Sequence, residues 1–199
     1  DMTEPRDISM HKNTRDATSY FACASRYDFF GGYDHGRHCG VVHIANHHLS
    51  PGKKMFTWGY NQLSKSWERA LTDTDGQYAE LMAGSYTDNQ PNFSWLEPYE
   101  TKEFSQYWYP ISQIGTPDYA DLNCAMKLAQ DELRIQATGS LGQCRVVASV
   151  AGQAFLDVQA DLQPCRPVSL GWNRPQGLVE EPGGSLGIYV GIRRDNPYG

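Results

Sequence analysis

The chain has 199 residues, a mass of 22.4 kDa, 40% apolar and 20% charged residues and a formal net charge of −6. That composition describes a folded chain with a real core, not a disordered one. Its acidity argues against a nucleic-acid surface, and no apolar stretch approaches the roughly 20 residues a membrane helix needs. In chain order, residues 1–19 are polar and aperiodic, an expected irregular arm. Segments of strand length follow at Tyr20–Ala24, Val41–His48, Met55–Tyr60, Gln77–Tyr86 and Lys102–Ile111. FFGGYDHG, SPGKK, TDTDG and TDNQPN serve as turn signals between them. One helix is expected at Gln62–Leu71. The run ISQIGTPD reads as a linker, dividing the chain into 1–111 and 112–199. Beyond it, strands near 121–129, 131–138, 144–151, 153–160, 166–172 and 186–193 predict a small immunoglobulin-like β-sandwich. The predicted class is all-β.

Chemistry-bearing residues crowd the first half. All six histidines lie at or before His48, and 19 of the 24 aromatic residues lie between Tyr20 and Tyr109. Phosphate-binding loops, dinucleotide fingerprints, nucleophile elbows and paired zinc spacings are absent. His43 and His47, on one strand, would stand about 13 Å apart, too far for one ion, so no metal site is expected. Aromatic rings mixed with His, Asp, Asn and Glu suit a sugar, whose C–H face stacks on a ring while its hydroxyls need donors and acceptors. Glu80 falls mid-strand with Tyr78, Met82 and Tyr86 on its alternation face. A carboxylate in such a place is either paired or raised in pKa towards acid–base work. The five cysteines, Cys23, Cys39, Cys124, Cys144 and Cys165, are odd in number and unpatterned. They are expected as thiols of a cytoplasmic protein, with one or two disulfides in a secreted chain as the alternative. Asp1 is followed by no apolar leader, and the sequence is expected to be a fragment or a processed product.

The runs FFGGYDHGRHCGVVHIANHHLSPGKKMFTWG and YAELMAGSYTDNQPNFSWLEPYETKEFSQYWYPI resemble a bacterial family, the domain of unknown function 5107. Members are placed with the galactose-mutarotase-like fold, an antiparallel β-supersandwich, often followed by helical repeats. The resemblance implies that residues 1–111 are the C-terminal part of such a supersandwich, whose companion would be the missing N-terminal half or another copy of the chain. It also implies a carbohydrate-binding or carbohydrate-processing module without metal or organic cofactor. The segment YAELMAGSYTDNQPN is similar to the strand and turn that carry the base glutamate of aldose epimerases. That puts Glu80 in the base position, Trp58 and Tyr86 as sugar platforms, and His43, His47, Asp34 and His35 as polar contacts. A glycoside hydrolase, with Glu80 paired to Asp34 or Asp88, and a non-catalytic binding or scaffold domain are the alternatives.

Overall fold

The computed structural model describes residues 7–88, 92–150, 153–172 and 188–194. Among the described residues the chain is all-β apart from one α-helix and a short 3-10 turn at His11–Asn13. The strands of the first half are β1 (Thr18–Phe21), β2 (Phe29–Asp34), β3 (Cys39–Ile44), β4 (Gly52–Thr57), β5 (Ala79–Gly84) and β6 (Tyr107–Ser112), with helix α1 (Gln62–Thr72) between β4 and β5. Then come β7 (Tyr119–Ala120), β8 (Cys124–Leu128), β9 (Glu132–Ala137), β10 (Leu141–Val150), β11 (Gln153–Leu162), β12 (Val168–Gly171) and β13 (Ile188–Arg194).

Two compact units result, Asp1–Phe30 with Ala45–Gln106, and Gly31–Ile44 with Tyr107–Gly199. Pairing of β3 with β6 (Val42 opposite Tyr109, His43 opposite Trp108) carries the β2–β3 segment into the second unit. The 111/112 division drawn from composition falls inside β6.

In the first unit, β4 is the centre of the sheet β1-β4-β5, antiparallel to both neighbours. Asn61 caps α1, its side chain accepting from the Ser64 amide at 2.8 Å. The helix ends at Asp73, which takes a positive φ of 53° while its N–H bonds the Arg69 carbonyl. Its packing is inverted. Leu63, Trp67 and Leu71, spaced as one apolar stripe, are 70%, 51% and 49% exposed. The side it buries carries Ser64 and Glu68.

The second unit holds the main hydrophobic cluster. Sheets β12-β9-β8-β7 and β11-β10-β13 contribute Met126, Leu133, Ile135, Val146, Leu156 and Leu162 to it, and Trp172, just past β12, joins them. The inward positions alternate with outward ones along β9 and β10, as a half-buried strand dictates. This is the expected sandwich, built from local hairpins β8–β9 and β10–β11 rather than from the interleaved order of immunoglobulin sheets. The remaining sheet, β2-β3-β6, is tied in by Gln136 of β9. Its buried amide accepts from the Ser112 N–H and donates to the Pro110 carbonyl, both at 2.8 Å.

Two local readings are corrected. FFGGYD is strand, not turn: a Cβ on Gly31 would stand 2.3 Å from the Val41 carbonyl, and one on Gly40 2.3 Å from that of Gly32. These glycines let two backbones approach, and the turn itself is made by Asp34, whose Oδ1 accepts from the amides of Gly36 and Arg37. The strand expected to reach His48 ends at Ile44. Asn46 breaks it, taking the His48 amide on its side chain and those of Leu49 and Ser50 on its carbonyl. His43 and His47 therefore do not share a strand face.

Candidate functional site

Glu80 sits on β5 directly opposite Phe56 of β4. It is half-buried, and the Tyr78 hydroxyl donates to its Oε1 at 2.7 Å. The bond to the carboxylate favours protonated phenol, and together with burial it pushes the Tyr78 pKa up. Among the described residues no Lys or Arg pairs with Glu80. Phe56 stands edge-on to Trp58 at 5.2 Å, and Trp58 stacks on Trp67 of α1 at 5.3 Å with 10° between the planes. A half-buried acid and an aromatic run thus adjoin on the first unit, ending in the exposed face of Trp67.

The other expected residues are placed differently. β5 stops at Gly84, and Tyr86 takes a φ of +65°, so it leaves the alternation that would have put it on the face of Glu80. Its ring meets Phe104 edge-on at 5.7 Å, with the Lys102 ammonium 5.6 Å from its centroid. His47 is held by Asp28, whose Oδ1 lies 2.6 Å from Nδ1 and 2.8 Å from the backbone nitrogen. Burial works against the Asp28 charge, but these bonds from His47 outweigh it and hold the carboxyl below its usual range. Glu80, Trp58, Tyr86 and His47 belong to the first unit; Asp34, His35 and His43 belong to the second. There His43 is fully buried with its ring 4.6 Å from Trp108. His35 stands edge-on to Tyr33 at 5.1 Å, and Asp34 is engaged in its turn. No group of three or more His, Cys, Asp or Glu side chains is arranged to hold a metal ion among the described residues.

A polar cluster on the first unit was not read from the sequence. Thr57, fully buried on β4, lies 2.6 Å through Oγ1 from Nε2 of His11, and that nitrogen is 3.6 Å from the Glu68 carboxylate. The expected irregular arm is thereby anchored on the sheet. Beside α1 runs a groove of about 690 Å³ whose wall includes Tyr60, Lys65, Glu68, Arg69, Asp73 and Gln77. The sequence signal was the stripe Leu63–Trp67–Leu71, which predicts the opposite packing and so pointed away from Glu68.

The fold defines an all-β protein with one helix-decorated unit and one β-sandwich unit. Residues 3–111 match the domain of unknown function DUF5107, and the chain belongs to that family. No solved structure matches the chain. No helix among the described residues is long and apolar enough to cross a membrane.

Proposed function

We propose that the chain is a carbohydrate-binding or carbohydrate-processing module of the galactose-mutarotase-like class, working in the cytoplasm without metal or organic cofactor. The observation that carries this reading is Glu80, a half-buried carboxylate with no cationic partner among the described residues, adjoining the Phe56–Trp58–Trp67 aromatic run. Tyr78 fixes its carboxylate by one oxygen and leaves the second for a substrate hydroxyl. In an epimerisation Glu80 takes the proton of the anomeric hydroxyl while a histidine protonates the ring oxygen. The ring opens, the aldehyde turns its other face, and closure returns the second anomer. Among the expected histidines, His47 is the one oriented by a carboxylate, with Asp28 Oδ1 2.6 Å from its Nδ1. Five thiols support the cytoplasmic placement.

The test is the rate at which pure anomers of common aldoses equilibrate, followed by polarimetry. The wild-type chain should accelerate it. Glu80→Gln should keep sugar binding and abolish the acceleration, because an amide keeps the shape and cannot take the proton. Equal rates for the two proteins would sink the catalytic role of Glu80. Binding with no acceleration by wild type would establish the non-catalytic alternative.

A further inference from the structure

We infer that a second copy of this chain docks on the first unit, pairing edge to edge through β5 about a two-fold axis. The first unit is packed like a core cut in half. Among the described residues Ala45 is its only buried apolar side chain, while Thr14, Ser50, Lys53, Thr57, Ser64 and Glu68 are also buried. Its large apolar groups stand in water instead: Leu63, Trp67 and Leu71 on α1, and Phe93, Trp95, Leu96, Tyr99 and Phe104 on the loop after β5. The loop holds that form with its own polar groups. The Lys102 ammonium donates to the Trp95 carbonyl and to Ser94 Oγ, and the Glu97 amide donates to the Glu100 carboxylate at 2.8 Å. At roughly 150–250 Å² per aromatic side chain, the exposed parts of its four rings come to about 450–750 Å². Leu96 and the α1 stripe carry the total beyond the ~800 Å² that each partner of a stable dimer covers, and beyond the roughly 300–600 Å² of the largest patch on a typical monomer.

β5 supplies the axis. It is an edge of the sheet β1-β4-β5, and its pairing with β4 runs without a bulge. Its sequence AELMAG contains neither the proline nor the lysine that blunts an open edge. Gln106 reaches the Ala83 carbonyl, 3.5 Å away, at one end of the strand; among the described residues nothing bonds the outer edge of 79–82. α1 sits at the Ala79 end, where Trp67 stacks on Trp58. The loop sits at the Gly84 end, where Phe104 and Lys102 meet the Tyr86 ring. By strand rise the two ends lie about 17 Å apart. Antiparallel pairing of two β5 strands therefore sets α1 of each copy against the aromatic loop of the other, twice over, as a two-fold contact requires. It also keeps the carboxylates apart. With Leu81 opposite Leu81 or Met82 of the second copy, Glu80 meets Met82 or Ala83 and never another Glu80. The edge and both apolar patches are on one chain, so two copies close the contact without a further partner. This dimer does not rest on the carbohydrate reading, and it would stand the second copy's rings beside the Phe56–Trp58–Trp67 run.

The experiment is sedimentation velocity of the whole chain over about a hundredfold range of concentration, with amide hydrogen exchange followed on the same samples. The chain should pass from 22.4 kDa to twice that mass. Amides within 79–82 should exchange more slowly as the dimer forms, because their outer partners come from the second copy. Leu63→Lys and Tyr99→Lys alter exposed side chains on separate elements, so each should fold and each should weaken the dimer by about tenfold or more. Leu122→Lys, also exposed but on the second unit, should leave it unchanged. A chain that keeps 22.4 kDa throughout would overturn the inference and leave the face to a different polypeptide. A dimer indifferent to both Leu63→Lys and Tyr99→Lys, or one without protection at 79–82, would overturn the β5 interface. Assemblies that go on growing past two copies would overturn the closed two-fold pairing.

Discussion

Gln136 offers the sharpest test of how the second unit is held together. Its side chain mimics a neighbouring strand, pairing with the edge of β6 at Pro110 and Ser112 through two 2.8 Å bonds. Gln136 is 2% exposed, and Ile111 and Ile114 beside the paired backbone are 1% and 0% exposed. Gln136→Met keeps the volume and removes both bonds. Each bond contributes about 0.5–1.5 kcal/mol, and a buried amide left without an acceptor costs about 1–3 kcal/mol. The Ser112 amide and the Pro110 carbonyl both lose their side-chain partner. The expected loss is about 2–3 kcal/mol, measured by urea denaturation, with hydrogen exchange at the Ser112 amide accelerating in parallel. Gln136→Glu adds a signature. One carboxylate oxygen still accepts from Ser112, but the other faces the Pro110 carbonyl unless it carries a proton. The folded-state pKa of the introduced carboxyl is therefore raised, and its stability is present in acid and lost as pH rises through that pKa. A Gln136→Met protein within about 0.5 kcal/mol of wild type, with Ser112 exchange unchanged, would refute the reasoning, since it would leave no room for two net hydrogen bonds.

Two further outcomes follow from the burial pattern. Cys23, Cys39 and Cys165 are exposed while Cys124 and Cys144 are buried. Burial, reinforced by Asp121, pushes the Cys124 thiol up to about 12, and the Cys144 thiol donates to the Ala160 carbonyl. Thiol reagent should therefore titrate three groups rapidly in the native protein and all five in denaturant; fewer than five in denaturant would contradict the thiol assignment. Lys53 of β4 is 2% exposed, and its ammonium meets no acceptor among the described residues. Burial lowers its pKa against the pull of Asp28, so the unfolded chain binds the proton more tightly and stability rises with pH between the folded value and 10.5. Lys53→Met should stabilise the protein at pH 7 by about 1 kcal/mol or more, on the scale of replacing buried charge with packed apolar groups, and flatten that alkaline rise; a destabilised variant would show that Lys53 has a partner its surroundings do not reveal.

Much of the fold was legible because strand alternation is a short-range code. The pattern of 131–138 and 144–151 resolved into β9 and β10 with their inward residues in the core. The helix at Gln62–Leu71 was legible too, since Asn61 caps it and no breaker interrupts it. Its orientation was not. An apolar stripe predicts which face is buried only when packing follows transfer energy, and α1 buries Ser64 and Glu68 instead. FFGGYD misled for a related reason: glycine marks a turn and a close strand approach with the same letter, and only the Val41 carbonyl beside Gly31 tells them apart. Glu80 was visible as an acid amid apolar neighbours, but the break at Gly84 that turns Tyr86 away depends on a backbone φ that alternation does not encode.

Saturation-transfer NMR on the intact chain with free monosaccharides tests the central claim most directly. Binding at the first unit should transfer saturation from the protein to the ring protons of at least one sugar, strongest on the C–H face that meets an aromatic side chain, and Trp67→Ala with Tyr60→Ala should diminish it. Sugars that receive no saturation from the wild-type protein would contradict the account.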